Sequence, residues 1–223
     1  MAYRHSEIGT EHQHCRICRR YLLREIMLTL ERITEHNLRF AVQIQAELFP
    51  GESARANYEE SATGTSGYEY YLIYEGETCI GIIGLYSYPE DPASAWLGWF
   101  GIRKSHRRKH YGSAALKLFE EMAAARGYRF ARLYTDAENN GPAIAFYKAS
   151  GYSAEPYQNA QDPAASKIRT LIFSKSLGGE ELIPWSSRNI HLTEQIARQE
   201  KYSMETRKDD PMYTAPENRL SQW

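Results

Sequence analysis

From Met27 onward the apolar positions alternate between a period of two and a period near 3.6, and each switch marks an element boundary. In LTLERIT (28–34), Leu28, Leu30 and Ile33 alternate imperfectly and predict a short strand. Leu38, Ala41, Val42, Leu48 and Phe49 then follow one face of a helix ended by Pro50-Gly51. Residues 52–67 are small, polar and punctuated by glycine, which predicts a second short helix over 54–61 and then a loop. Two β-rich runs at 70–74 and 79–86 are separated by Glu75-Gly76-Glu77-Thr78, a hairpin signal. After the turn at 89–92 comes AWLGWFGI (95–102), apolar on both faces as a central strand requires. Gly98 and Gly101 inside that strand predict a bulge or a close approach of something to its backbone. Residues 112–127 carry Ala115, Leu118, Phe119 and Met122 at helical spacing, with Gly127 placed just beyond the helix end. A strand at 128–135 and a short helix at 142–150, with Pro142 near its start and Gly151 past its end, come next. Strands at 152–155 and 168–175 complete the order β, α, α, β, β, β, α, β, α, β, β. This specifies an α/β fold, a mixed sheet with helices on both faces.

Composition sets the scale and removes some functional classes. With 223 residues, 42% hydrophobic and 25% charged, the chain suits one well-buried core with extensions. The expected division is an N-terminal extension (1–26), a domain (27–177) and a C-terminal extension (178–223). A formal net charge of -1 argues against a dedicated nucleic-acid binder, which is basic across a whole domain. No run approaches the roughly 20 apolar residues that span a bilayer, and the N-terminus lacks an apolar secretion segment. A cytoplasmic protein with no membrane or nucleic-acid partner is expected. Three cysteines make no disulfide framework. His12, His14, Cys15 and Cys18 could supply zinc ligands, but structural zinc pairs close with a second pair about 12 to 20 residues on. None follows, so no metal is expected. The same stretch, with Ile17, Tyr21, Leu22 and Ile26 on one side, predicts an N-terminal helix.

Charge is concentrated in one place. Residues 103–110 hold five Lys or Arg and two His, and Gly112 opens the helix behind them. A basic loop between the end of a buried strand and a helix N-terminus suits an anion, because unpaired backbone N–H groups and the helix dipole both favour negative charge. Phosphate is the natural ligand. Neither the G-x-x-x-x-G-K-[ST] nor the G-x-G-x-x-G pattern is present.

At these residues the chain resembles the GCN5-related N-acetyltransferase (GNAT) superfamily. Its acetyl-CoA loop reads Q/R-x-x-G-x-G/A after a strand ending in an aliphatic residue, and Ile102 followed by Arg107-Arg108-Lys109-His110-Tyr111-Gly112 aligns with it. His110 departs from the pattern, standing where the first glycine usually sits. The family segment N-x-x-A-x-x-x-Y-x-x-x-G-F/Y is matched by Asn140, Ala143, Tyr147, Gly151 and Tyr152. The resemblance covers roughly residues 27–177. It implies acetyl-CoA as cosubstrate and an amine acceptor. It also implies a cofactor-binding set of Phe100, Gly101, Ile102, Arg107, Arg108, Lys109, His110, Tyr111, Gly112, Ser113, Asn140 and Tyr147.

Acetyl transfer needs a neutral amine, a donor for the carbonyl oxygen as it gains charge, and an acid for the departing thiolate. The resemblance assigns the donors to main-chain N–H groups near Phe100 to Ile102, and the acid to Tyr147 beside the cleft where neighbouring parallel strands part. A phenol of ordinary pKa about 10 protonates a thiolate of about 8.5 slightly uphill. Asn140 reads both as a helix N-cap and as a holder of the pantetheine arm. The general base is open among Glu75, Glu77, Glu90, Asp91, Asp136, Glu138 and a water chain. Tyr68, Tyr70, Tyr71, Tyr86, Tyr88, Trp96 and Trp99 are candidates for an acceptor pocket that holds an ammonium by cation–π contact. For residues 178–223, with a weak helical stretch at 192–204, a wrap around the domain, a clasp in a homodimer and disorder are all open. The alternative to an enzyme is a catalytically silent acyl-CoA-binding module.

Overall fold

The computed structural model describes residues 26–64, 67–138, 140–157 and 170–185. The His/Cys segment at 12–18, the helix expected around 17–26 apart from its last residue, and the stretch at 192–204 therefore lie outside the described residues. The elements are β1 (Thr29–Arg32), α1 (Leu38–Leu48), α2 (Arg55–Thr63), β2 (Glu69–Glu75), β3 (Thr78–Tyr88), β4 (Asp91–Ile102), a 3-10 turn (Lys104–His106), α3 (Tyr111–Ala125), β5 (Phe130–Asp136), α4 (Gly141–Ala149), β6 (Ser153–Pro156) and β7 (Thr170–Ser176). The order is the one the hydrophobic periods predict. The hairpin into β4 is tighter than expected: Tyr88 pairs with Asp91, so only Pro89 and Glu90 turn.

The strands form one seven-stranded sheet ordered β1-β2-β3-β4-β5-β7-β6. Every neighbouring pair is antiparallel except β4 and β5. Side chains alternate between two cores. Tyr70, Leu72, Cys79 and Ile82 face Val42, Leu48 and Tyr58 of α1 and α2. Tyr71, Ile73, Ile83, Leu85 and Leu97 face Leu116 and Phe119 of α3 and Tyr147 of α4. Ile80 is the extra residue of a bulge opposite Ile73 and Tyr74, and it switches β3 so that both Cys79 and Ile82 reach the α1/α2 side. A third cluster of Tyr86, Tyr88, Trp96, Tyr157, Ile172 and Trp185 closes the end of the sheet away from Ile102.

Polar contacts tie helices to sheet. Tyr58 donates its hydroxyl to Gln45 Oε1 at 2.9 Å, joining α2 to α1, and Ser61 Oγ accepts the Tyr70 N–H at 2.9 Å. Arg126, just past α3, grips Glu69 of β2 through two hydrogen bonds of 2.9 and 2.8 Å. Burial alone would raise the Glu69 carboxyl; Arg126 and the Tyr71 hydroxyl outweigh it and hold the group below its ordinary range. Lys175 of β7 reaches Glu120 of α3 at 2.7 Å and the Ser150 carbonyl at 3.1 Å.

Two β-sheet glycines are explained by one ring. Gly84 and Gly98 are cross-strand partners, and Tyr70 lies over both: a Cβ at Gly84 would sit 2.2 Å from Tyr70 Cε1, and one at Gly98 2.6 Å from its hydroxyl. Tyr70 is only 2% exposed and packs edge-on against Tyr58, so it has nowhere to retreat. Gly84→Ala is expected to cost about 1–3 kcal/mol by overpacking, read as a lowered denaturation midpoint. The penalty should shrink in a Tyr70→Leu background, and an unchanged midpoint in the single variant would contradict the packing.

The packed body runs past Leu177. Ile183 accepts a hydrogen bond from Arg132 Nη2 at 2.9 Å, and Trp185 stands edge-on to Trp96 with ring centroids 5.1 Å apart. Of the alternatives for the C-terminal extension, a wrap is what the stretch up to Trp185 makes.

Candidate active site

The site begins where two strands separate. β4 pairs with β5 only from Ser94 and Phe130 to Trp96 and Arg132, although the strands continue to Ile102 and Asp136. Beyond Trp96 the β5-facing edge of β4 has no strand partner among the described residues. At the same level β4 bulges against β3: the pairs Gly84–Gly98 and Ile82–Gly101 leave Ile83 opposite both Trp99 and Phe100. Trp99 takes φ 28°, rare for a bulky residue and sustained only by its surroundings. Those surroundings are Phe49, with centroids 5.3 Å apart, and Asn57, which accepts the indole N–H at 3.3 Å. The predicted bulge is present. The approach to the Gly98 and Gly101 backbones on the helical face is made by the protein itself, by Tyr70 and by Phe49 with Leu48.

The basic turn at the end of β4 divides its charges. Arg103 continues the β3 pairing through its N–H to the Ile80 carbonyl at 2.8 Å, while its guanidinium turns back to Glu47 at 2.9 Å and the Cys79 carbonyl at 3.3 Å. The bond to Glu47 raises its pKa. Arg107 donates Nε–H to the Ile102 carbonyl at 2.8 Å and so fastens the turn to the strand. Lys104, Arg108, Lys109 and His110 are exposed. Arg108 and His110 take positive φ, 59° and 65°, so the backbone folds back on itself just before α3. The first bond of α3 runs from the Ala114 N–H to the His110 carbonyl at 3.0 Å. The N–H groups of Gly112 and Ser113 therefore have no acceptor within the helix, and the His110 side chain caps neither of them. Such a fold-back followed by a helix N-terminus makes a concavity of backbone donors suited to phosphate.

The left-handed φ of His110 gives the physical reason for the glycine in the family pattern: this position suits a residue without Cβ. His110→Gly is expected to relieve about 1 kcal/mol of backbone strain, raising the melting temperature, and to leave acetyl-CoA affinity within a few-fold. A tenfold loss of affinity would instead assign the imidazole a bond to phosphate.

Across the cleft, α4 packs on the same face as α3. Asn140 stands at its N-terminus but makes no side-chain cap; its amide donates to Thr135 Oγ1 at 2.6 Å near the end of β5, which corrects the N-cap reading. Tyr147 is 8% exposed, with its ring against Phe146, Tyr152 and Phe173 at centroid distances of 5.3, 6.0 and 5.5 Å. Its hydroxyl makes no hydrogen bond among the described residues, and burial pushes its pKa well above the ordinary value. Part of the Tyr-x-x-x-Gly-Tyr spacing is helix-stop chemistry. Gly151 takes φ 87°, its N–H reaches the Lys148 carbonyl at 3.1 Å, and the Tyr152 N–H reaches the Tyr147 carbonyl at 3.1 Å.

Of the predicted site residues, Phe100, Ile102, Arg107, Gly112 and Tyr147 converge at this end of the sheet. Phe146, which periodicity does not single out, joins them. Its ring lies 6.1 Å from that of Phe100, and a Cβ on Gly112 would touch it at 3.6 Å. Gly101 lies between Phe100 and Ile102 on the parted strand, Tyr111 sits 6.1 Å from the His106 ring, and Ser113 is exposed in the first turn of α3.

The carboxylates separate by position. Glu90 and Asp91 stand at the β3–β4 hairpin, far from Ile102, and Asp91 is wholly buried beside Arg132. Neither serves the cleft. Glu75 and Glu77 flank the β2–β3 turn, at the end where Gly81 pairs with Ile102. Asp136 ends β5 and accepts the Glu138 N–H at 2.6 Å. The aromatic acceptor pocket is corrected: Tyr70, Tyr71, Tyr86, Tyr88 and Trp96 are at most 9% exposed and packed in the cores, with only Tyr68 and Trp99 half-buried.

Among solved structures, the ribosomal-protein-S18-alanine N-acetyltransferase of Escherichia coli is 17% identical, matching 71% of this chain and 100% of its own with a TM-score of 0.54. NAA60 of Arabidopsis thaliana, solved with acetyl-CoA, is 14% identical over 69% of this chain and 100% of its own, TM-score 0.53. The PaiA N-acetyltransferase of Thermoplasma acidophilum, solved with coenzyme A, is 16% identical over 67% and 99%, TM-score 0.51. At these identities the likeness is one of fold. No curated protein matches the sequence. The family model described as Acetyltransferase (GNAT) family matches residues 31–152, more than half of the chain. Since that match runs from β1 to the end of α4 and takes in the parted strand, the basic turn and Tyr147 together, this chain belongs to the GNAT acetyltransferase family.

Proposed function

We propose that this protein moves the acetyl group of acetyl-CoA to a primary amine of a small molecule or protein by direct attack. The observation that carries the reading is the parting of β4 from β5 beyond Trp96 and Arg132, with the α3 N-terminus and Tyr147 on one face of the sheet beside it. Acetyl-CoA supplies the activated acetyl thioester. The turn at 103–110 and the N–H groups of Gly112 and Ser113 hold its pyrophosphate, chiefly with main chain. The unpaired edge from Phe100 to Ile102 holds the pantetheine arm and steadies the carbonyl oxygen as charge develops on it. Asn140, braced by Thr135, orders the arm. Tyr147 gives its proton to the departing sulfur, and its raised pKa keeps it protonated at neutral pH. Of the candidate bases, Glu75, Glu77, Asp136 and Glu138 are those at this end of the sheet, and one of them receives the amine proton, directly or through water.

Acetyl-CoA at a hundred times its dissociation constant is expected to stabilise the fold by about 2.7 kcal/mol, seen as a thermal shift. Acetyl-pantetheine, without the pyrophosphate, should do much less. Equal shifts would remove the phosphate role of the turn. With a panel of primary amines, thiol release from acetyl-CoA should accompany acetylation; a thermal shift with no thiol release across the panel would favour a silent acyl-CoA-binding module.

A further inference from the structure

Side chains along β4 change phase once. Leu97 faces the α3/α4 core and Gly98 faces Tyr70 on the other side, as strand alternation requires. Trp99 should return to the α3/α4 side, yet it joins the α1/α2 core, edge-on to Phe49. From there alternation resumes in the new phase: Phe100 and Ile102 face α3 and α4, and a Cβ on Gly101 would point at Leu48 and Phe49. The backbone turn that makes the change is the φ of 28° at Trp99. Its consequence reaches the cleft. The Arg103 N–H bonds to the Ile80 carbonyl of β3, so the Ile102 N–H, one residue back, leaves from the β5-facing edge. A straight β4 would turn Phe100 and Ile102 to the opposite face and the Ile102 N–H towards β3. Tryptophan has no intrinsic preference for that φ, so contacts from other elements must sustain it. Asn57 of α2 accepts the indole N–H at 3.3 Å, and Phe49 packs on the ring at 5.3 Å. Both are braced: Tyr58, next to Asn57, bonds to Gln45 Oε1 at 2.9 Å, and the Phe49 N–H bonds to the Gln45 carbonyl at 2.9 Å.

We infer that Trp99, latched by Asn57, is a positioning residue for acetyl transfer: it fixes the bulge that aims the main-chain donors between Phe100 and Ile102 at the thioester carbonyl. The inference rests on the acetyl-CoA reading of the cleft and adds to it a control from the face of the sheet opposite Tyr147. Trp99 acts through the backbone. Its φ sets the direction of the donors, and α2, through Asn57, sets its φ.

The test compares Trp99→Ala with Trp99→Gly in the full chain. Both lose the ring and its two contacts, but Gly takes a positive φ freely and Ala does not. Trp99→Ala should lower kcat about 10²-fold, as misplaced reacting groups do, with acetyl-CoA affinity down only a few-fold because the phosphate contacts remain. Trp99→Gly should keep a kcat several-fold above that of Trp99→Ala. A role in packing alone predicts the reverse order, since Ala keeps the larger side chain; that order, or equal values, would overturn the inference. Asn57→Leu should lower kcat about tenfold, less than outright removal of an oxyanion donor, and an unchanged kcat would overturn the latch. The second readout is the infrared carbonyl stretch of bound, isotope-labelled acetyl-CoA. In the wild-type chain it should lie below that of the free ligand, and in Trp99→Ala it should move back towards it. An unshifted wild-type stretch would overturn the inference. A shifted stretch with no transfer to any amine would remove the transferase reading and still support the positioning, whereas failure to bind acetyl-CoA would remove both.

Discussion

Tyr147→Phe is expected to lower kcat on the order of 10²-fold while leaving melting temperature and acetyl-CoA affinity nearly unchanged. The hydroxyl has no hydrogen-bond partner among the described residues, so its removal orphans no donor or acceptor, and the ring contacts with Phe146, Tyr152 and Phe173 persist in Phe. What disappears is the proton. Burial drives the phenol pKa up, which keeps the acid loaded at neutral and mildly alkaline pH but also makes it a weaker acid towards a thiolate. Thiolate leaves partly unaided as well. Both effects place the loss at the low end of the 10²–10⁴ range typical of general acids. kcat and kcat/KM should fall together, the mark of an interaction made in the transition state, whereas a rise in KM alone would mean lost binding. Retention of more than half of the wild-type turnover, where chemistry limits the rate, would take Tyr147 out of the mechanism.

Arg132→Met should be the most destabilising of the substitutions considered, by about 3–5 kcal/mol, because it takes the guanidinium charge from beside a buried carboxylate. Arg132 and Asp91 are both 0% exposed, with Nε and Oδ2 3.4 Å apart. The Nε–H itself goes to Ser94 Oγ at 3.0 Å, so the contact with Asp91 is a charge contact. Arg132 also donates to Ser174 and to the Ile183 carbonyl and lies over the Trp185 ring at 5.3 Å. One guanidinium thus joins β4, β5, β7 and the C-terminal wrap. The check is a denaturant titration read at its midpoint with the slope unchanged. Asp91→Asn in the Arg132→Met background should recover part of the loss, since the buried negative charge that Arg132 offset is then gone. A cost below about 1 kcal/mol for the single variant would mean that the carboxylate is solvated in a way its burial contradicts.

The element order, the two glycine helix stops and the place of the basic turn were legible in the sequence because each depends on local chemistry. Gly127 and Gly151 both take positive φ just past a helix, as residues without Cβ do there. Asp91 shows the opposite case. In a Pro-Glu-Asp-Pro turn it reads as a solvated charge, and nothing local announces that Arg132, distant along the chain, will bury it. The aromatic candidates fail for the same reason: alternation marks Tyr70, Tyr86 and Trp96 as strand residues, but which of them sees solvent depends on what packs over each face.

The sequence by itself determined the alternation of strand and helix, the concentration of positive charge at one strand-to-helix junction and the family motifs, because these rest on periodicity and on the chemistry of adjacent residues. Only the tertiary structure decided where β4 leaves β5, which glycines make room for Tyr70 and Phe49, and which basic residues of the turn are spent on Glu47 and the Ile102 carbonyl. Those outcomes depend on contacts between segments far apart in the chain, whose energies are set by packing against partners that no local window contains.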